Sequence, residues 1–596
     1  MHAEDRMLGV VFETTVRLVV PLFQRPYVWN EERNWEPLWD SIEVVANRRL
    51  AESTPRPHFL GAIVLEQLKT ETGEVDSRQV IDGQQRLTTL QLAIAAVRDL
   101  CAEKGAEDYR EGFKRLSENY VPSKKNRDSV FKVWPTNVDR EHFRQVMSAG
   151  SLLAIAKTYD VKPEARDYGH LIPNCYKYFY EKAEEWLGET AGEELEDRLE
   201  ILFAAFRQDL VLVVVDLDEG DDPQLIFETL NALGTPLAPA DLVKNFLFHT
   251  AEQEGASITE LYEETWQPFD DNVQYWRAEV RQGRLKWFRI DTFLAHYLTL
   301  LRQDVVSMTH LFTEFREHFD QEDVSAAQQV RNLRQYAKVF EGFDLYHPES
   351  REGMFFKRLE ALDTSMAVPV LLEMLRSPQS DEDKEQFLQL LESYLVRRAV
   401  CCLTYKNYNR LFVDMIRSLS KAGFTSAALR EFLLERKGDS TEWPTDQQFR
   451  KAFCDFPIYK RLKQSRTRMV LEGIERAMHD GKNEKISIDE QLTIEHVMPQ
   501  DWRANWPMPD GSTLEDEMHR EEVLQSFGNL TLVTRKLNPS MSNSAWSEKK
   551  TALQEHSALT MNRRLQKSAK WSEDTIAERS REMCEIALTI WPRPES

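Results

Sequence analysis

Two alternating apolar runs late in the chain set the frame for the rest. Leu492 and Ile494 form a short apolar lead into Glu495 and His496, with Pro499 placed to stop a strand. Leu530 to Val533 is a second run, introduced by Gly528 and Asn529, and Asn538 follows nine positions after Asn529. The pattern predicts two strands and a loop that present Glu, His, Asn and Asn. Near the front, Val16 to Val20 predicts a strand that leads into Pro21-Leu22-Phe23-Gln24-Arg25-Pro26-Tyr27. Asn30 is placed to cap a helix with Glu31 and Glu32 in its first turn and Trp35, Leu38, Trp39 and Ile42 on its inner face. Those tryptophans read as core, whereas Gln24 and Arg25, pinned between two prolines, are the exposed candidates.

Leu60, Ala62 and Val64 alternate along another strand, Thr72-Gly73 supplies a turn, and Gln79 to Ile81 returns as the partner. That partner runs straight into Asp82-Gly83-Gln84-Gln85-Arg86 and a helix over 87–100 whose apolar face is Leu87, Leu90, Ile94 and Val97. The run LVLVVV over 210–215 has the continuous apolar character of a buried strand. From Leu261 to about Leu391 the periodicity becomes helical, with few strand signals.

A chain of 596 residues, 42% of them hydrophobic, can build two to four domains with real cores. No apolar run reaches the ~20 residues of a membrane span, and the N-terminus lacks a signal-peptide pattern. Six cysteines without CxxC spacing predict reduced thiols in a cytoplasmic protein. A formal charge of −23 works against broad nonspecific DNA binding, because phosphate affinity comes largely from Lys and Arg. Local basic surface remains: KRLKQSRTR over 460–468 and MNRRLQKSAK over 561–570, for both of which a solvated helix face is the plainer reading. Arg397 and Arg398 are consecutive on a predicted helix, so at most one of them faces DNA.

The late set suits metal-assisted phosphodiester hydrolysis. Mg²⁺ or Mn²⁺ takes few oxygen ligands from protein and keeps waters, which Glu495 and the Asn538 amide oxygen can supply. His496 titrates near neutrality and can take a proton from the attacking water, while Asn529 can orient the imidazole. At the front, Gly83 permits close approach to the helix start and Arg86 supplies a fixed charge, a plausible phosphate seat. An Asp-capped turn with Arg86 paired to a nearby acid accounts for those residues equally well. No P-loop spacing occurs.

IEHVMPQ followed by GNLTLVTRKLN resembles the HNH, or ββα-metal, nuclease motif. VPLFQRPYVW with IDGQQRLTTLQ resembles the N-terminal domain of the GmrSD, SspE and BrxU restriction proteins, as does FETLNALGTPL over 227–237 with Asp241, Lys244 and Asn245 beyond it. The run Ser542-Asn543-x-x-Trp546-x-x-Lys549 is similar to the end of the GmrSD nuclease domain. No CxxC zinc pairs flank the site, so packing alone must hold it. The resemblance implies an α+β, mostly helical fold: a ParB-like α/β nucleotide-handling domain over 1–250, a helical connection over 251–390, and a helical domain over 391–596 carrying the ββα-metal motif.

It further implies Glu495 and Asn538 as metal ligands, His496 as general base and Asn529 as the residue holding it. Gln24, Arg25, Asp82, Gln84, Gln85 and Arg86 would line a site for GTP, UTP or ATP. Lys460, Arg461, Lys463, Arg466, Asn543 and Lys549 are the expected DNA contacts. The implied function is an NTP-regulated, metal-dependent endonuclease that restricts modified DNA in phage defence, acting with partner proteins of a defence operon or as a homodimer. The alternatives are an inert ParB-like DNA-binding regulator and an HNH ribonuclease toxin.

Overall fold

The computed structural model of the chain describes residues 2–51, 56–68, 70, 74–121, 127–218, 221, 238–282, 285–479 and 492–595. The Thr72-Gly73 turn and the 227–237 motif lie outside the described residues. Two compact units form, one of Met1–Val273 with Glu322–Val330, the other of Gln274–Gln321 with Arg331–Ser596. Helix dominates both. No helix among the described residues is long and apolar enough to cross a membrane.

The first unit is built on a six-stranded mixed sheet of order β1-β6-β3-β4-β2-β5, made of β1 (His2–Met7), β2 (Val16–Val19), β3 (His58–Gln67), β4 (Asp76–Asp82), β5 (Val133–Trp134) and β6 (Leu210–Leu217). The LVLVVV run supplies β6, which pairs parallel to β3 and antiparallel to β1. The β1 strand has no apolar alternation to betray it: its sequence is HAEDRM and its side chains are largely exposed, so the backbone ladder to β6 holds it. Asn30 accepts a hydrogen bond from Arg33 N at the start of the helical segment that continues as Glu36–Leu50, with Trp35, Leu38, Trp39 and Ile42 buried. The helix Gln84–Glu103 was expected to bury one face. It is instead enclosed on nearly every side, and its polar Arg98 and Asp99 survive inside by pairing with each other at 2.7 Å.

The second unit is helical apart from two small antiparallel pairs. One is β7 (Glu279–Gln282) with β8 (Leu285–Phe288), in a stretch whose periodicity reads as helix; the other is β9 (Thr493–His496) with β10 (Leu530–Val533). Arg397 and Arg398 are both fully buried on the helix Asp381–Val400, so neither reaches DNA. Arg398 donates to the carbonyls of Thr404, Asp439, Ser440 and Glu442, and Arg397 to Asp446 and the Trp591 carbonyl. The buried guanidiniums satisfy a loop's backbone rather than a ligand.

Candidate active site

Strand β9 ends in Glu495 and His496 because Leu530↔His496 closes its register with β10. Behind the pair lies an apolar cluster that includes Val497, Met498, Trp502, Trp506, Trp571 and Ile576. Gly528 at the head of β10 is required by this packing: a Cβ there would stand 2.1 Å from the Ile576 carbonyl oxygen. Its N–H donates to Ser580 Oγ at 3.0 Å, and Arg579 donates to the carbonyls of Gly528 and Leu530, so the C-terminal helix Glu573–Ile590 pins the strand. Packing and hydrogen bonds do here what zinc does in other small sites.

Asn538 opens the short helix Leu537–Met541 and lies against β9, its Nδ2 donating to Thr493 Oγ1 at 3.0 Å and to the Ile494 carbonyl at 3.1 Å. Thr493 and Glu495 alternate onto one face of the strand, and Asn538 is anchored to that face through Thr493. Both Asn538 bonds use the nitrogen, and among the described residues its amide oxygen accepts none. A carboxylate offers about four acceptor positions. Glu495 takes Lys549 Nζ at 2.5 Å, which leaves capacity for a cation. No group of three or more His, Cys, Asp or Glu side chains that could hold a metal occurs among the described residues, so a cation here would rest on two oxygen donors and its own waters.

His496 is buried. Its Nε2 lies 3.4 Å from Gln525 Oε1, and the Tyr459 ring packs edge-on against the imidazole, centroids 4.4 Å apart. Burial, aided by the nearby Lys549 charge and opposed by the Gln525 hydrogen bond, pushes the imidazole pKa down to about 4. The ring is therefore neutral at pH 7, and with Nε2 donating to Gln525, Nδ1 is the nitrogen left to accept a proton. Burial raises Glu495 and lowers Lys549, and the attraction between the two opposes both shifts.

Three expectations for this region need correction. Asn529 does not hold the imidazole: it is 0% exposed, its Oδ1 accepts from Met498 N and Trp571 Nε1, and its Nδ2 donates to the carbonyls of Met498 and Leu524. It fixes the main chain just past His496, and Gln525 and Tyr459 are the side chains that touch the ring. Lys549 is no DNA contact, being 1% exposed and bonded to Glu495 and, at 2.7 Å, to the His496 carbonyl. Arg466 is half-buried and donates to the Leu362 carbonyl at 2.6 Å. Of the other basic candidates, Lys463 pairs with Asp363 at 3.0 Å and Arg461 lies over the Phe456 ring, while Asn543 is exposed. Exposed Lys460 follows Tyr459 directly, which brings that end of the basic run to the imidazole. Neither Tyr459 nor Gln525 belongs to a spaced motif; the one signal for Tyr459 is its place at the head of the basic run.

In the first unit, the two front motifs come together at the junction of β4 with the helix Gln84–Glu103. Gln24, expected to be exposed, is buried and donates to the carbonyls of Val80 and Ile81 at 2.7 and 3.1 Å. Gln85 accepts from Val28 N at 2.8 Å and donates to the Pro26 carbonyl at 3.0 Å, clamping the loop as a strand partner would. Tyr27 and Phe23 are core: the phenol meets Thr89 and Trp35, and Phe23 stacks on Phe248. Arg86 donates to the Ala62 carbonyl at 2.5 Å, in space that Gly61 provides; a Cβ on Gly61 would sit 2.7 Å from its Nη2. Asp82, Gln84 and Arg25 remain half-exposed, and Gly83 starts the helix with φ +96° and no side-chain cap. The N–H groups of Gln84, Gln85 and Arg86 precede the first intrahelical bond, Leu87 N to the Gly83 carbonyl. Lys244 is buried and ion-paired with Asp270 at 2.7 Å, a structural clamp.

Against known families, the model for the GmrSD restriction endonuclease N-terminal domain matches residues 8–248, and that for the GmrSD restriction endonuclease C-terminal domain matches residues 443–586. Comparison with curated proteins finds no significant match.

Proposed function

The chain belongs to the GmrSD-type restriction endonucleases, whose partner is DNA, and from that premise we propose a divalent-metal-dependent endonuclease of HNH type, gated by a nucleoside triphosphate and directed at modified DNA in the cytoplasm. The observation that supports the reading is the anchoring of Asn538 to β9 through Thr493 and the Ile494 carbonyl, on the strand that ends in Glu495 and His496. Glu495 and Asn538 would hold the ion, which when bound supplies positive charge to the scissile phosphate and leaving oxygen. His496 Nδ1 accepts the proton of the attacking water, and Gln525 and Tyr459 keep the ring from turning. Lys460 and Arg461 meet backbone phosphate beside the cut.

At the front, the free N–H groups of Gln84 to Arg86 would receive the phosphates of GTP, UTP or ATP, with Asp82 and Gln84 facing the ligand. Coupling follows from a simple need: a nuclease that cuts without restraint destroys its host, so nucleotide and modified DNA must favour the competent arrangement over the resting one. Cleavage of glucosylated, hydroxymethylated, phosphorothioate and plain DNA, and of RNA, with and without each NTP and Mg²⁺, tests the proposal. Metal-dependent cutting of at least one modified DNA, stimulated or suppressed by an NTP, is expected. Cutting of RNA alone would move the assignment to the ribonuclease, and absence of cutting to the inert regulator.

A further inference from the structure

We infer that Lys549 is a positioning residue of the cutting site, the internal cation that holds the Glu495 carboxylate and the His496 main chain in one register; the inference rests on the endonuclease reading above. One ammonium binds two consecutive residues of β9, Glu495 Oε1 at 2.5 Å and the His496 carbonyl at 2.7 Å. A strand end with one side chain on each face has no local means of fixing both, because the two leave the backbone in opposite directions. Lys549 supplies that link from outside the strand.

Its own place is firm. It lies in the first turn of the helix Trp546–His556, where Trp546 packs on Trp571 with ring centroids 5.3 Å apart and Leu553 joins the apolar cluster. The stem cannot swing out to solvent without unpacking that turn. A buried ion pair is weak evidence for stability, since desolvation cancels much of the attraction, yet it specifies geometry well. Here the geometry is that of the acid assigned to the metal. A lysine that merely filled space would not bind both residues.

The test is the full-length Lys549→Met chain, assayed on a DNA that the wild type cuts, with Mg²⁺ titrated and Lys549→Arg and His496→Ala run alongside. Cutting at saturating Mg²⁺ should fall by ~10²-fold, as expected for a displaced catalytic group, with DNA binding unchanged. The Mg²⁺ concentration for half-maximal cutting should rise, and Lys549→Arg, which keeps a cation there, should recover part of the loss. A folded Lys549→Met chain with the wild-type rate and the wild-type Mg²⁺ dependence overturns the inference. If His496→Ala still cuts, the endonuclease site itself is misassigned, a failure distinct from that of Lys549. Should Lys549→Met fold poorly, thermal unfolding of Lys549→Met, Glu495→Gln and the double variant decides. The double variant should be more stable than Lys549→Met, since it leaves no unpaired buried charge, whereas simple addition of the two losses overturns the pairing.

Discussion

The front loop and the rear strand end spend their polar side chains differently. Around β4, Gln24, Gln85 and Arg86 all bond to main-chain atoms, so the residues that best mark the motif build the loop, and the proposed ligand face is left to Asp82, Gln84 and backbone N–H groups. At β9, Glu495 and Asn538 each use part of their capacity to hold position and keep oxygen lone pairs for something else. Main-chain recognition of a phosphate needs a rigid loop, which side chains must buttress. A metal site needs side-chain oxygens, so its buttress has to come from other residues, and at the proposed site Lys549, Gln525 and Asn529 would supply it.

The largest effect should come from His496→Ala. Loss of a general base costs ~10²–10⁴-fold in cutting, measured by plasmid nicking, while NTP binding and hydrolysis stay at the wild-type level. Retained cutting would erase the contrast between the two sites. Asn529→Ala comes next, since it strands the Met498 N–H, Trp571 Nε1 and two carbonyls inside the protein. A loss of about 3 kcal/mol in denaturant unfolding is expected, with cutting lost through the fold and not through the chemistry.

Proton linkage separates the regions further. The His496 pKa is held near about 4 in the folded chain and returns to about 6.5 on unfolding, so the unfolded state binds more protons between those values. Stability is therefore full above about pH 6.5 and falls as the pH drops toward 4, by on the order of 3 kcal/mol from this residue. The difference between wild-type and His496→Gln unfolding curves across that window should show it. At the front, Gly61→Ala drives a Cβ into the Arg86 guanidinium at a backbone φ of +105°. A loss of about 1–3 kcal/mol and weaker binding of a fluorescent NTP should follow. The smallest effect belongs to Lys460→Ala: DNA affinity should fall evenly across sequences, with the salt-dependence slope reduced by about 1.

Much of the local structure was legible beforehand. Asn30 as a cap, Trp35 and Trp39 as core, and the strands ending at Asp82 and His496 all follow from periodicity and end signals within a few residues of one another. The edge strand β1 was not legible, since a strand held by its backbone ladder needs no apolar pattern. The β7–β8 pair was hidden because its short runs, EVRQ and LKWF, carry no alternation that distinguishes them from the helices around them.

By itself the chain's order of residues determined most of the elements, the two motif pairs and the acid, imidazole and carboxamide proposed to bear the chemistry. Only the tertiary structure decided which polar groups are left to act. Lys549 read as a DNA contact and Asn529 as the support of the imidazole, but one is buried on Glu495 and the other is bonded to Met498, Leu524 and Trp571. The reason is physical: a buried donor or acceptor must find a partner, and partners brought from 31 to 54 residues away leave no mark on the local sequence.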